Sequence, residues 1–360
     1  MWKKIGAAAL ALLVIALILK GPAGDRLVLA YMQKQVIKNL SGERFAEFPD
    51  GLNIVLCGAG SPIPDSTRAG PCVAVIAGQQ IVVVDTGSGA VRNLPLSGIP
   101  VGKVAAVFLT HFHSDHIDGL GDLMMQRWGN GANTTPLPVY GPPGVEQVVA
   151  GFNMAYGLDD SYRIAHHGPA IIPPSGAGGI ARTFATPKLG EGLVIYEQDG
   201  LKVTSFVVDH GPVAPAVGYR FDYQGRSAVL SGDTRKSANL AQFTKGADLL
   251  VHEAISPELV GVLTAGAKAA GATNIEQITR DILNYHTTPV EVAEIAQAAG
   301  VRQVLYYHLV PALPLHRLDS IFLRGVSDIY HGGVVVGQDR SWVALPAHSD
   351  KVVVGRRRAP

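Results

Sequence analysis

The sequence has few cysteines and almost no net charge, and each shortage excludes a class of protein. Two cysteines occur in 360 residues, so a disulfide-rich scaffold is excluded. Lysine and arginine together number 30, aspartate and glutamate 29, and the one dense basic run is at 356–358. Because tight nucleic-acid binding depends on clustered basic side chains, the composition predicts no strong nucleic-acid binding.

The two cysteines, Cys57 and Cys72, leave two interpretations open. Each lies at the edge of a strand-like run, and the turn-rich segment 58–70 separates them. In an exported protein they could form a disulfide that closes this loop. The alternative is a pair of buried free thiols.

A long apolar run is present only at the N terminus. Residues 5–19 are apolar or small and follow Lys3 and Lys4. As a helix they would span about 22 Å, short of the roughly 30 Å hydrocarbon core of a bilayer. We therefore expect 1–24 to be an uncleaved signal-anchor or a cleaved signal peptide, with a buried helix of a soluble protein as the alternative. Either signal predicts an exported, periplasmic or otherwise extracytoplasmic protein, attached to the membrane if the signal is retained.

The remaining chain favours short strands and loops over a helix bundle. It contains 42 glycines and 23 prolines, and Val- and Ile-rich runs alternate with helical patterns. This pattern predicts an α+β four-layer αββα sandwich, with two facing sheets and helices outside. We expect a connector helix within 25–50, a catalytic domain over 51–346 and a basic tail at 347–360. Residues 153–192 show little periodicity and are predicted to be an irregular lid or substrate loop.

The strongest chemical signal is the segment 110–116, which follows an apolar strand. It places three imidazoles and a carboxylate within six residues: His111, His113, Asp115 and His116. Histidine nitrogens suit zinc, and aspartate adds a hard oxygen. Alternation along an extended segment puts His111 and His113 on one side, and a turn brings the other two to a second position.

Other polar residues repeat one arrangement, since each stands at the end of a short apolar strand. Strand ends gather along one rim of a layered fold, so we expect these side chains to meet the histidine motif. His286 lies just outside a predicted helix start, and His166 and His167 are weak ligand candidates in the irregular segment. The residues at strand ends are Asp85, His210, Asp233, His252 and His308.

This set of motifs resembles the metallo-β-lactamase superfamily, and within it the tRNase Z-like branch. The resemblance spans about 51–312. It rests on the histidine motif, on His210, on the Gly-Asp-Thr around Asp233, on His252-Glu253-Ala254 and on His286-Thr287-Thr288, with His308 last.

The resemblance implies two metal ions, most simply two Zn²⁺, with Mn²⁺ or Fe²⁺ possible. One ion would take His111, His113 and His210, the other Asp115, His116 and His308, and Asp233 would bridge them. A shared water would then act as a bridging hydroxide, with Asp115 and His286 as the catalytic residues. Asp85 would orient a metal ligand, and His252 and Glu253 would orient His286 or a ligand.

These features together predict a binuclear hydrolase of a phosphodiester or related small ester outside the cytoplasm. Alternatives are a hydrolase of lactones, amides or sulfate esters, a ribonuclease Z-type tRNA 3′ endonuclease, and a non-catalytic metal-binding protein. Processing tRNase Z enzymes carry a long arm after the lone histidine, whereas a compact hairpin fits between His210 and Asp233 here. We therefore expect a small-molecule ester substrate. The N-terminal segment predicts a membrane contact, and a homodimer is left open.

Overall fold

The structure, a computed structural model, describes residues 20–358. The predicted signal segment lies mostly outside the described residues. Two compact units are present, one ending at Glu47 and one beginning at Phe48. In the first unit, helix α1 (Pro22–Leu40) begins with a proline in its first turn and ends at Ser41.

The first sheet of the second unit has eight strands in the order β15-β14-β1-β2-β3-β4-β5-β6. From β14 to β3 neighbouring strands are antiparallel, and from β3 to β6 they are parallel. Its strands are β1 (Gly51–Gly58), β2 (Cys72–Ala77), β3 (Gln80–Val84), β4 (Ala106–Phe108), β5 (Leu137–Gly141), β6 (Gly179–Thr183), β14 (Ser341–Pro346) and β15 (Val353–Arg356).

The second sheet has seven strands in the order β13-β12-β11-β10-β9-β8-β7 and repeats the same plan. Strands β7 to β10 are antiparallel neighbours, and β10 to β13 are parallel. Its strands are β7 (Leu193–Gln198), β8 (Leu201–Val207), β9 (Val217–Tyr223), β10 (Arg226–Leu230), β11 (Leu249–Ile255), β12 (Gln303–Val310) and β13 (Gly333–Val336).

Helices connect the parallel strands of both sheets, as such crossovers require. Helix α9 has a complete capping box: Thr288 accepts from the Glu291 backbone, and Glu291 accepts from the Thr288 backbone. The helices are α2 (Asn93–Leu96), α3 (Ser114–Ile117), α4 (Leu120–Gly131), α5 (Val145–His167), α6 (Ala238–Thr244), α7 (Pro257–Ala269), α8 (Thr273–Asp281), α9 (Pro289–Ala299) and α10 (Arg317–Phe322).

The main core lies between the two sheets. Val75 and Phe108 from the first sheet are buried in one cluster with Tyr219 and Leu305 from the second. On the outer face of the second sheet, residues such as Leu250 pack with helix α9 in another cluster. Helices α4 and α5 contact β5 of the first sheet. The predicted four-layer sandwich is therefore present.

Two segments differ from the sequence-based expectation. The segment 153–192 is not irregular throughout, because α5 continues to His167 and β6 forms at Gly179–Thr183. Only Val145 and Val149 of α5 are buried. A helix that is so exposed shows little periodicity of apolar residues in its sequence. In the tail after 346, β15 pairs with β14, so the first sheet extends past the predicted boundary.

Cys57 and Cys72 form a disulfide between the paired ends of β1 and β2. The loop that it closes is also anchored by the buried carboxylate of Asp339. That carboxylate accepts from the backbone amides of Ala59 and Ala69 and from the Asn93 side chain. The loop between the cysteines therefore has a second attachment that does not depend on the disulfide.

Between residues 20 and 358, none of the helices combines the length and the apolar character needed to cross a bilayer.

Candidate metal centre

The predicted ligands meet at one rim of the sandwich, because the parallel strands of both sheets end there. The segment after β4 carries His111 and His113, and α3 then carries Asp115 and His116. His308 lies in β12, near its end. Asp233 follows β10, after Gly232 in the left-handed region (φ +62°). A β-carbon on Gly232 would lie 2.8 Å from the Val217 carbonyl oxygen, so only glycine fits this turn.

The first ligand group is rich in histidine. His111 Nε2 lies 3.0 Å from His113 Nδ1, and His113 Nδ1 lies 3.4 Å from His210 Nε2. Asp233 Oδ2 completes the group at 3.9 Å from His210 Nε2 and 4.0 Å from His111 Nε2. Since zinc–nitrogen bonds measure about 2.0–2.1 Å, ligand atoms of a tetrahedral zinc lie roughly 3.3–3.4 Å apart, close to these separations.

The second group combines Asp115, His116 and His308. Asp115 Oδ2 lies 3.6 Å from His116 Nε2 and 3.3 Å from His308 Nε2. Asp233 Oδ2 lies 3.3 Å and 3.2 Å from the same two nitrogens. One oxygen of Asp233 is therefore within ligand distance of both groups, as a bridging carboxylate requires.

Hydrogen bonds fix which nitrogen of His111 and His116 is free to bind a metal. Asp85 accepts from the Thr110 hydroxyl at 2.8 Å and from the Thr110 amide at 2.9 Å. Because a hydroxyl has one proton, Thr110 then accepts from His111 Nδ1 at 3.0 Å. His116 Nδ1 also donates to Asp85, at 2.8 Å. In their neutral forms, both rings thus present an unprotonated Nε2 to the centre. Burial alone would lower the pKa of His116, but the carboxylates of Asp233, Asp85 and Asp115 raise it, so a bound metal ion would displace its Nε2 proton.

His210 is oriented by a different kind of partner. Its Nδ1 lies 3.1 Å from the Tyr285 carbonyl oxygen, which can only accept, so His210 Nε2 is the free lone pair. His308 Nδ1, in contrast, is buried without a hydrogen-bond partner in the described part of the chain.

The donor set fits a pair of cations. His116 Nε2 and Asp233 Oδ1 are buried with no hydrogen-bond partner among residues 20–358. Buried polar atoms of this kind are normally satisfied, so a pair of them at a convergent site indicates a ligand. Burial lowers the pKa of His111, His113 and His210, which favours the neutral imidazole that binds metals.

His308 adopts a rare backbone conformation to reach the centre. Its φ is +44°, in the left-handed region that L-residues seldom occupy. The register of β12 against β11 shifts here, from Glu253 opposite Tyr307 to Ala254 opposite Leu309. A β-bulge of this kind re-aims a side chain, and it turns His308 toward the metal centre.

His286 lies beside the two ligand groups and is held by Glu253. His286 Nδ1 is 3.3 Å from Glu253 Oε2, and the Thr287 amide donates to Glu253 Oε1 at 2.9 Å. Burial alone would lower the pKa of His286, but the Glu253 carboxylate, with Asp233, raises it to about 8. This pKa favours the protonated imidazolium at neutral pH, and His286 lines the cavity described below.

Three of the histidines singled out from the sequence lie outside the two ligand groups. His252 is fully buried, and its Nδ1 lies 2.6 Å from the Glu253 carbonyl oxygen rather than near His286. His166 and His167 end the exposed helix α5, where their rings contact each other. The structure thus brings Asp85 and Glu253 to the positions predicted for orienting residues, but gives His252 no such contact.

The sequence missed the residues that support the ligands. Thr110 links Asp85 to His111, and the Tyr285 carbonyl holds His210. Both adjoin predicted site residues, but no feature of their type marks them out. The apolar faces of α7 and α8 were also missed.

A cavity of about 880 Å³ opens on the centre. On one side it reaches His113, Asp115, Asp233, His286 and His308. Its other walls are the segment from Pro62 to Pro64, Tyr285 and the facing sides of α7 and α8.

Comparison with known proteins places this geometry in a family. The model of the Beta-lactamase superfamily domain matches residues 80–309. The chain belongs to the metallo-β-lactamase superfamily. Within it, the chain belongs to the ribonuclease Z-like branch: it is 36% identical to a protein named ribonuclease Z from Mycolicibacterium paratuberculosis, over 82% of this chain and 92% of the relative. A ribonuclease Z from Mycobacterium marinum is likewise 36% identical over 82% of this chain and 92% of its own length.

Solved structures of the superfamily share the fold. Human tRNase Z, short form, superposes with a TM-score of 0.57 at 19% identity, covering 82% of this chain and 99% of its own. The metallo-β-lactamase fold protein YhfI from Bacillus subtilis gives a TM-score of 0.56 at 19% identity, covering 81% and 98%. These similarities, with the two sheets and outer helices, confirm the predicted fold. The family model and the relatives confirm the predicted family and a hydrolase. The fold also implies bound metal ions.

The same relatives overturn several expectations. The predicted small-molecule ester partner without nucleic-acid binding is wrong, because the aligned relatives are named for action on RNA. The predicted export and membrane anchoring are wrong on the same comparison, since proteins named ribonuclease Z match 82% of the chain. A homodimer stays a prediction.

Proposed function

We propose that this protein is a ribonuclease Z-type endonuclease that hydrolyses a phosphodiester bond at the 3′ end of tRNA precursors. The observation that carries the proposal is the shared Asp233 oxygen between two complete ligand groups, with His286 beside them. The names of the relatives that align over most of the chain support RNA as the substrate.

The ligand groups favour two zinc ions. The first would be held by His111, His113 and His210, the second by Asp115, His116 and His308, and Asp233 would be shared. Imidazole-rich sets suit zinc, and Mn²⁺ or Fe²⁺ would accept the same donors. When bound, such a pair supplies Lewis-acid activation of water and stabilisation of charge on the phosphoryl oxygens.

The chain itself supplies orientation and a proton. Asp85 and Thr110 fix the tautomers of His116 and His111, so the ligand nitrogens are preorganised. Glu253 keeps His286 protonated at the cavity wall, where it can donate to the departing ribose oxygen. A compact hairpin takes the place of the long arm between His210 and Asp233, so RNA recognition would fall to other surfaces of the protein.

The experiment is cleavage of a tRNA precursor with a 3′ trailer by purified protein, with metal content measured on the same sample. We expect a single cut next to the acceptor stem, about two metal ions per chain, and loss of cleavage with a chelator that added Zn²⁺ reverses. His113→Ala should abolish cleavage. His166→Ala is the matched control, because that histidine lies on exposed α5 away from the centre.

A metal-loaded protein that leaves RNA intact but hydrolyses bis(p-nitrophenyl) phosphate would reject the RNA substrate while keeping the hydrolase. Restoration by Mn²⁺ or Fe²⁺ but not by Zn²⁺ would reject zinc.

A further inference from the structure

The cavity on the metal centre has one polar side and one apolar side. On the apolar side, Val262 and Leu263 of α7 and Ile275 and Ile278 of the neighbouring α8 line the cavity. Their side chains are not packed away, since Val262 is 66% exposed and Ile278 is 54% exposed. Apolar side chains that stay exposed beside a reactive centre mark a surface that a ligand covers.

The charge of the lining points to the kind of group that binds there. Among the described residues, no lysine or arginine lines this cavity. A surface that follows an RNA backbone needs such cations to neutralise phosphates. The apolar wall therefore contacts a part of the nucleotide that carries no charge.

Tyr285 adds an aromatic surface between the wall and the ligands. Its ring lies beside His210 and His286, with centroids 5.2 and 4.9 Å away, and it also lines the cavity. Aromatic side chains in single-strand binding sites stack on bases, and this stacking tolerates any base because each has a flat π face.

The size of the cavity suits one flipped-out nucleotide beside the reacting phosphate. About 880 Å³ lies within the roughly 300–1,000 Å³ common for clefts that take small-molecule-sized groups. The wall and the ligands share this one space, so a base on the wall belongs to a nucleotide next to the phosphate at the centre.

We propose that Tyr285 and the facing sides of α7 and α8 form a subsite for the unpaired base of a nucleotide adjacent to the scissile phosphate. This inference rests on the proposed RNA cleavage. It implies that the protein selects an unstacked nucleotide at the cut and does so without base-specific hydrogen bonds from the wall.

The test uses the metal-loaded protein and a tRNA precursor with an abasic residue on the 5′ or the 3′ side of the cut. We expect one of these two substrates to lose about tenfold in kcat/KM, the scale of one base stacked on a protein surface. Ile278→Asn should cost the normal substrate a similar factor and add little to the loss from that abasic position. Leu158→Asn, at a leucine on α5 that is 68% exposed, is the control and should cleave all substrates as the original protein does.

Two further measurements distinguish base stacking from phosphate contacts and from effects on the rate of turnover. The loss caused by Ile278→Asn should be the same at about 50 and about 300 mM salt, because no phosphate contact is removed. A 2-aminopurine base at the sensitive position should change its fluorescence on binding to the original protein and much less with Ile278→Asn.

The outcomes distinguish this inference from the function on which it rests. If the protein cleaves the normal precursor and neither abasic substrate is impaired, the subsite is wrong and the RNA cleavage stands. If Ile278→Asn impairs abasic and normal substrates equally, the wall acts on the fold or on another partner, and the subsite is again wrong. If the normal precursor is not cleaved, both proposals fail together.

Discussion

The two sheets deliver their candidate metal ligands in different ways. After β4 of the first sheet, four ligands follow within six residues, and the nearby Asp85 and Thr110 orient two of them through side-chain hydrogen bonds. The second sheet contributes three ligands from three separate strand ends. Of these, His210 is held by a backbone carbonyl, and His308 Nδ1 has no hydrogen-bond partner in the described chain. The first sheet thus supplies its ligands from one short segment of chain. The ligands of the second sheet come together only when three separate strands assemble.

The largest loss of cleavage is expected at the residue that the two halves share. Asp233→Asn should reduce RNA cleavage by more than the roughly 10–100-fold that is typical when a residue that only orients a metal ligand is replaced. The metal content should also fall below two ions per chain. The reason is that one oxygen lies 3.2–3.3 Å from two histidine nitrogens of the second group and also faces the first. Metal analysis beside kinetics measures both effects. Asp350→Asn, at a highly exposed position, is the control. Two ions retained by Asp233→Asn would rule out the bridging role.

The next largest effect is expected in the first half, where Asp85 accepts several hydrogen bonds from the residues around the ligands. Asp85→Asn should weaken metal affinity by about 10–100-fold, because His116 Nδ1 and Thr110 lose a charged acceptor. Competition with a chelator measures this affinity, and excess metal should restore much of the cleavage. If affinity does not change, the hydrogen bonds of Asp85 do not set the ligand geometry.

In the second half, we expect the matching carboxylate, Glu253, to support proton transfer by His286 instead of metal binding. Glu253→Gln keeps the shape but weakens the hold on His286, and a positioned proton donor is worth about 10²–10⁴-fold. We expect a loss of about tenfold or more in kcat with both metal ions retained. Loss of metal from this variant would show that Glu253 supports ligands as Asp85 does.

The smallest effect on cleavage is expected at the disulfide. Replacing Cys57 and Cys72 together by alanine should lower the free energy of unfolding by about 3 kcal/mol, the value for a loop of about 15 residues. Cleavage should not change, because Asp339 and Asn93 hold the loop independently. Denaturant unfolding and initial rates measure the two quantities. Slower cleavage at unchanged metal content would show that the disulfide positions the cavity wall.

The same contrast explains what could be predicted from the sequence. The ligands of the first sheet are neighbours in the chain, so spacing alone indicated a metal site at His111–His116. His210, Asp233 and His308 were expected beside them from their positions at strand ends, and the family resemblance then divided the set between two metal ions. The second part of helix α5 was expected to be irregular because the helix is mostly exposed, and exposure removes the periodicity that marks a helix. The α7–α8 wall could not be foreseen, since its apolar residues look like ordinary core positions until the structure shows them open to the cavity.

The expectations about substrate and export were wrong because neither came from the residues of the site. Net charge and the absence of a basic run are averages over the whole surface, whereas a substrate meets one cavity. An apolar N-terminal run says nothing about the chemistry of a rim built from the strand ends of another part of the chain.

The bulge at His308 has a consequence for the order in which the protein loses structure. Without the extra residue, strict alternation would turn Leu309 toward the centre and His308 into the apolar layer under α9. A left-handed residue costs about 1–3 kcal/mol, which metal ligation by His308 would offset. We expect the end of β12 to be the first part of the second sheet to exchange its amide hydrogens when metal is withdrawn, while the ends of β3 and β4 stay protected. The bulge would then make this strand end a local reporter of metal occupancy.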